Sequence, residues 1–213
     1  MARMMTLPDG RSVDLDYFVE WRPWLWRRPV ADAMGFLGDL PGKRVLEIGG
    51  RSGRMTSLLA LRGAHVTMVE LGDTERAAAE TSRWGVRDRV RLIRSNGGFA
   101  EVAGETFDVI FTKSVLWCIE PLAEFLDQTE ALLADGGKVA FVENVRGGDV
   151  LFWLRCKLVW RGRMNYQQQY HGITREQVHL FRDRFGDLTA RRRMGLVYVI
   201  LGHKKTSRAA AET

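Results

Sequence analysis

The stretch Val45-Leu46-Glu47-Ile48-Gly49-Gly50-Arg51-Ser52-Gly53-Arg54 constrains the fold more than any other part of the chain. The apolar, branched residues before the glycines suit a buried strand. The glycines let the backbone turn tightly and approach a ligand with no Cβ in the way. A helix is expected to begin near Arg54. Its first amide N–H groups lack intrahelical partners and carry partial positive charge, so the turn can hold a negatively charged or polar group. Strand, glycine turn and helix together read as a nucleotide-type site.

Strand and helix patterns alternate around this turn. Ala33, Met34, Phe36 and Leu37 fall at helical spacing, closed by Pro41-Gly42 before a strand over about residues 44 to 48. Met55, Leu58, Leu59 and Leu61 predict the helix after the turn, stopped at Gly63. A strand from His65, facing solvent, to Glu70 follows, then a helix capped by Asp73 and ended by Gly85. Further strands are expected at about 89 to 94 and 107 to 112, with a helix from about 121 to 133 and a strand closing at Glu143. Thr174 and Gln177 have capping-box spacing for a last helix reaching about Phe185. Two final strands, about 188 to 193 and 196 to 201, pair as a hairpin.

Residues 1–29 read as a cap segment outside this alternation. Asp9-Gly10 between short apolar pieces suggests a hairpin. Tyr17, Phe18, Trp21, Trp24 and Trp26 follow, interrupted by Pro23 and succeeded by Arg27, Arg28 and Pro29. Prolines this close argue against a long regular helix here. Interleaved tryptophan and arginine can stack on bases, bind an interface or cap a pocket. Packing of an N-terminal helix onto the sheet accounts for most of these rings.

The glycine turn resembles motif I of the class I S-adenosylmethionine-dependent methyltransferases, an acidic residue followed by three alternate glycines. Glu47, Gly49 and Gly53 fit, Arg51 stands where the middle glycine would be, and Gly50 occupies a position that usually varies. The dinucleotide pattern G-x-G-x-x-G, started at Gly49, would need glycine at 51 and 54, where this chain has arginine. Four segments, at 45–54, 65–70, 107–112 and 132–143, come in the family's order and cover roughly the middle half of the chain. In the last of them, Ala134-Asp135-Gly136-Gly137 resembles the family's L-x-P-G-G turn, with Asp135 replacing proline.

The resemblance implies an α/β, doubly wound, Rossmann-like methyltransferase fold: a mostly parallel seven-stranded sheet with an antiparallel last strand. The domain would span 30–203, with a substrate lid inserted at about 144–173 and a disordered tail at 204–213. The implied cofactor is S-adenosylmethionine, with S-adenosylhomocysteine as product and no metal. Its binding set comprises Glu47, Gly49, Gly50, Arg51 and Gly53 in the turn, and Glu70, about 20 residues on, for the ribose hydroxyls. Leu71 lies beside the adenine, and Asn96 and Gly97 occupy the place where the family commonly sets an acid against the adenine amino group. Lys113 lines the methyl donor, and Tyr17 supplies an N-terminal aromatic that closes the site.

The lid shapes substrate choice, because ligands of doubly wound folds lie beyond the carboxyl ends of the strands. Its first part, 150–161, is apolar with cations interspersed, and walls a pocket or lies on a bilayer surface. Arg155, with Lys157, Arg161 and Arg163, can receive a carboxylate or phosphate of the substrate. Trp21 and Tyr170 are further substrate-binding candidates. Methyl transfer from a sulfonium is an in-line displacement, so the protein mainly positions the acceptor about 3 Å from the methyl carbon. For a hydroxyl acceptor His171 is the catalytic candidate, since imidazole titrates near neutrality.

Thr112-Lys113-Ser114-Val115 lacks the N/D-P-P-Y/F motif of amino methyltransferases, which disfavours nucleic acid as substrate. A net charge of +6 favours acidic partners without choosing among them. No run reaches the roughly 18 apolar residues of a membrane span, and the first residues lack an apolar signal core, so a cytoplasmic protein is expected, with peripheral membrane contact left open. Cys118 and Cys156 form no C-x-x-C and read as reduced, mostly buried thiols. The expected function is methylation of a small apolar or aromatic metabolite, an anionic group being allowed and the acceptor atom (O, N or C) unresolved. The alternatives are an RNA or protein methyltransferase, and a non-catalytic methyltransferase-like scaffold, the latter motivated by Arg51 and Asn96. Nothing in the sequence indicates an oligomeric state.

Overall fold

The computed structural model describes residues 3–146, 154, 157 and 172–205. Arg155, Arg161, Arg163, Tyr170 and His171 of the expected lid, together with Cys156 and residues 206–213, lie outside the described residues.

A hairpin of β1 (Met4–Thr6) and β2 (Ser12–Asp14) opens the chain, turning through Gly10 at φ 83°. Asp14 then accepts from the Asp16 N–H at 3.0 Å and so caps α1 (Leu15–Val19). The next element corrects the expectation drawn from the prolines. Residues Pro23–Leu37 form one 15-residue helix, α2, with Pro29 inside it. Pro23 takes the first helical position, where its missing N–H has no partner to lose. Pro29 forfeits one backbone bond at a cost of about 3 kcal/mol. Burial of Leu25, Trp26, Val30, Ala33, Met34 and Leu37 outweighs it, because each large apolar side chain contributes about 1.5–3 kcal/mol. Lys138 donates to the Phe36 and Leu37 carbonyls at 3.0 and 3.3 Å, which satisfies the helix's last acceptors. The helix crosses residues 29 and 30 without a break, so the cap segment and the following region share it.

The remaining strands are β3 (Arg44–Ile48), β4 (His65–Glu70), β5 (Val90–Arg94), β6 (Phe107–Lys113), β7 (Leu133–Asn144), β8 (Phe185–Arg193) and β9 (Val197–Lys204). They form one sheet in the order β5-β4-β3-β6-β7-β9-β8. The pairs from β5 through β7 are parallel, and β9 runs antiparallel between β7 and β8. This matches the expected seven-stranded sheet with an antiparallel last strand. Parallel strands covered on both faces read as nearly continuous apolar runs, and Val45, Leu46, Val66, Met68, Ile110, Phe111, Val139 and Phe141 are all buried.

Further helices among the described residues are α3 (Arg54–Leu61), α4 (Glu75–Arg83), α5 (Leu122–Leu132) and α6 (Val178–Arg184). One layer joins α1, α2, α3 and α4, with α2 also packed on β7 and β9, while α5 packs on α6. The chain leaves β3 toward β4 and β5, then returns to the other side for β6 and β7. The crevice outside the carboxyl ends of β3 and β6 is therefore the topological switch point, where open α/β sheets bind ligands. Among the described residues no helix is long and apolar enough to cross a membrane.

Three local expectations change. Thr74, not Asp73, is the cap residue of α4, although the Asp73 carboxylate accepts from the Glu75 N–H at 3.3 Å. Thr174 and Gln177 do exchange backbone-to-side-chain bonds at 3.0 and 3.1 Å, but they close a turn just before α6. Cys118 is exposed rather than buried, because the short 3-10 turn Leu116–Cys118 sends Leu116 inward and its third residue outward.

Candidate active site

The glycine turn continues β3 outward. The Gly49 N–H donates to the Val69 carbonyl of β4 at 2.8 Å, and the Gly53 N–H to the Gly50 carbonyl at 2.7 Å. Gly53, at φ 75°, lies so close to α4 that a Cβ there would sit 2.5 Å from the Ala77 Cα. A Cβ on Gly49 would sit 2.2 Å from a Val115 methyl carbon. Both glycines thus admit neighbouring elements to the turn. Arg51 has an exposed side chain and φ 28°, a left-handed value that favours glycine.

Glu70 ends β4 and ties the crevice together. One carboxylate oxygen accepts from the Arg51 N–H at 2.8 Å, and the other from the Leu71 and Gly72 N–H groups at 3.0 and 3.2 Å. A carboxylate offers about four acceptor sites. With three engaged, holding both hydroxyls of a ribose requires release of at least one loop amide. Beside it Leu71 is 58% exposed, a large apolar surface facing outward at a strand end. A Cβ on Gly97 would sit 3.6 Å from Leu71 Cδ2, so these two residues, far apart in sequence, meet. Asn96 is exposed in the same loop, whose shape is set by Ser95: its hydroxyl donates to the Gly98 carbonyl at 2.8 Å.

Beneath this surface lies a group of charges. Glu47 is buried and accepts from the Thr56 hydroxyl at 2.5 Å. Glu143, at the end of β7, is buried too and accepts from the Thr112 hydroxyl at 2.6 Å and from the Val115 and Leu116 N–H groups at 2.8 and 3.0 Å. Burial pushes each carboxyl up to about 7. Lys113, at the end of β6 between them, lies 5.2 Å from the centre of the Trp26 ring. Burial lowers its pKa, against the charges of Glu20, Glu143 and Glu47. Glu143 also fixes the backbone of the 114–116 segment, and Asn144 donates to the Ser114 hydroxyl at 2.8 Å.

The N-terminal segment packs beside the glycine turn and its flanking helices. The Tyr17 hydroxyl donates to Glu80 of α4 at 2.6 Å and accepts from Arg83 at 3.1 Å, while the Arg54 guanidinium lies 4.3 Å from the ring centre. Tyr17 is thereby turned toward α3 and α4. The residue of this segment that reaches the glycine turn is Glu20, which accepts from the Ser52 hydroxyl at 2.9 Å. Trp21 is 45% exposed, whereas Phe18 and Trp26 belong to the core.

On the far side, beyond β6 and β7, a cleft of about 530 Å³ is lined by Leu116, Trp117, Ile119, Leu122, Ile173 and Arg146, among others. Part of its wall is fixed by two backbone bonds: the Arg146 N–H donates to the Ile173 carbonyl and the Ile173 N–H to the Asn144 carbonyl, both at 2.9 Å. Sequence patterns gave no signal for Glu20, Ser52, Ser95 or Arg146. Glu143 alone had one, as the acid closing a strand next to the switch point.

A family model described as a methyltransferase domain matches residues 18–183. A ubiquinone biosynthesis O-methyltransferase of Pseudomonas putida is 31% identical over 105 residues, which cover 48% of this chain and 45% of that protein. The match therefore spans less than half the length of that relative. The aclacinomycin 10-hydroxylase of Streptomyces purpurascens is 33% identical over 107 residues, 48% of this chain and 28% of that one. A solved structure of 1,6-didemethyltoxoflavin-N1-methyltransferase from Burkholderia thailandensis, with 1,6-didemethyltoxoflavin and S-adenosylhomocysteine bound, superposes with a TM-score of 0.62 at 20% identity, covering 96% of this chain and 100% of that one. With a family match over well more than half its length and the fold of such enzymes, this chain belongs to the class I S-adenosylmethionine-dependent methyltransferases.

Proposed function

We propose that this protein binds S-adenosylmethionine at the carboxyl edge of β3, β4 and β5 and methylates a small apolar or aromatic molecule seated beyond β6 and β7. The observation that carries the donor half is Glu70: a carboxylate at the end of β4, oriented by three amides, with Leu71 and Gly97 together at its side. Leu71 and Gly97 offer a flat apolar contact for a purine, and Glu70 an acceptor for ribose hydroxyls. The bound donor supplies a methyl group on a sulfonium. The protein's share is to hold the acceptor in line and to keep water out. The acceptor half rests on the cleft, whose Trp117, Leu116, Ile119 and Ile173 suit a planar apolar molecule and whose Arg146 suits an anionic substituent. The named activities of the relatives include O- and N-methylation of small molecules, and among the acceptors O, N and C these favour a hydroxyl or nitrogen. His171 is the proposed base for a hydroxyl, and Arg155 and Tyr170 are proposed substrate-binding residues.

Titration calorimetry with S-adenosylhomocysteine tests the donor site. Wild type is expected to bind in the micromolar range, and Glu70→Ala to bind at least tenfold more weakly, the loss of one charged hydrogen bond. Unchanged affinity in that variant would remove Glu70 from the site. No binding by wild type would favour the scaffold reading over any enzyme.

The hydroxylase among the relatives supports a second reading, in which the same donor site serves a reaction other than methyl transfer. Incubation of a panel of hydroxylated aromatic acids with methyl-labelled donor separates the two. Label in the acceptor supports the first, and product without label the second.

A further inference from the structure

Glu20 is held by features that its own short helix does not require. It follows α1 at φ 64° and ψ −80°, and the Trp21 N–H donates across it to the Val19 carbonyl at 2.9 Å. These angles and that bond define a γ-turn of the rarer hand, a strained conformation for a residue with a Cβ. The strained turn directs the side chain to the glycine turn, where it accepts from the Ser52 hydroxyl at 2.9 Å, 32 residues away in sequence. Arg54, just past Gly53, donates to the Tyr17 carbonyl at 3.0 Å, so α1 is fastened on both sides of that glycine. Of the carboxylates whose charge favours protonated Lys113, Glu20 acts most strongly, although Lys113 lies on β6 and Glu20 on the cap. Glu20 therefore faces the opening between the glycine turn and the end of β6.

The sheet order says what lies there. Neighbouring strands are about 4.8 Å apart. A purine at Leu71 and Gly97, outside β4 and β5, and a ribose at Glu70 leave the third part of the donor running over β3 toward β6. In an S-adenosyl compound that part is an amino acid, with an ammonium and a carboxylate. Lys113 and Arg51 have the charge to meet the carboxylate. The ammonium needs an anionic acceptor at the surface, whereas Glu47 and Glu143 are buried and already engaged. Glu20 is exposed, and its hydrogen bond among the described residues is to a neutral hydroxyl.

We propose that Glu20 binds the α-ammonium of the donor's amino-acid end, exchanging its bond to Ser52 for a charged one, and that the strained turn serves to hold it there. This rests on the donor site proposed above. The test measures two probes against wild type and Glu20→Gln: S-adenosylhomocysteine, and 5′-methylthioadenosine, which shares the base, sugar and sulfur but lacks the amino acid. Glu20→Gln is expected to weaken S-adenosylhomocysteine about tenfold or more and to leave methylthioadenosine within twofold. Equal weakening of both probes would make Glu20 a structural latch and overturn the proposal, as would unchanged affinity for S-adenosylhomocysteine. If wild type binds neither probe, the donor site itself falls and the proposal with it, which separates the two failures.

Discussion

Gly53 shows how much of a residue's role a motif conveys and how much it leaves out. Its place in the glycine turn marks it as a residue that lets a ligand approach. The structure adds that α4 packs against it, with a prospective Cβ 2.5 Å from the Ala77 Cα and φ 75°. A backbone atom cannot yield as a side chain can, so Gly53→Ala is expected to cost about 2–4 kcal/mol in urea denaturation. Gly85→Ala is the control, because Gly85 has a similar φ of 68° and nothing within 4 Å, and should cost only about 1 kcal/mol. Equal costs would mean that conformation alone, and not contact with α4, makes position 53 a glycine. Arg51 carries a different lesson. Arg51→Gly relieves φ 28° and removes an exposed guanidinium, and S-adenosylhomocysteine should then bind several-fold more weakly if the guanidinium meets the ligand carboxylate. Tighter binding would make the arginine an obstruction. Glu70 and Gly53 were legible because strand, turn and helix place them by local pattern. Glu20 and Ser52 were not, since nothing local to either residue specifies a partner 32 positions away.

Among the elements, the buried parallel strands were the easiest to read, and their ends fall within a residue or two of the expected ones from β3 to β6. Continuous apolar runs leave little freedom in where such a strand begins. The helix α2 was misread because proline was weighed alone, without the apolar face that holds residues on both sides of Pro29 against β7 and β9. The short parallel bridge between Val145 and Ile173 joins the two ends of the segment for which a lid is expected. Gly172 permits it: a Cβ there would sit 2.7 Å from the Asn144 carbonyl and 3.0 Å from the Arg146 nitrogen. Gly172→Ala should therefore open the bridge while leaving the glycine turn and Glu70 untouched. The expected result is faster amide hydrogen exchange at Arg146 and Ile173 with S-adenosylhomocysteine affinity within twofold of wild type. Weakened binding of that ligand would show that the bridge supports the donor half as well, against the division of the crevice proposed here.

At the scale of the whole molecule, three adjacent strands of the sheet carry their ionisable groups to one edge: Glu47 on β3, Lys113 on β6 and Glu143 on β7. A sheet core that ends in two buried carboxyls should leave a mark on the pH dependence of stability. Each is raised from 4.5 in the unfolded chain to about 7 in the fold, chiefly by burial. Between those values the folded state binds more protons at these two groups than the unfolded state, so their contribution to stability is greatest below 4.5, falls as the pH rises through 7, and levels off above. The direction is opposite to that of a carboxylate stabilised by an ion pair. Each group contributes on the order of 1–3 kcal/mol, shared through Lys113. Glu47→Gln isolates one of them, because the amide oxygen can still accept from Thr56 while the titration is gone. Urea denaturation at pH 5.5 and pH 8 is expected to show the variant gaining stability over wild type at the higher pH and losing part of the difference between the two conditions. Identical pH slopes in variant and wild type would mean that Glu47 stays ionised in the fold, with Lys113 and Thr56 together outweighing its burial.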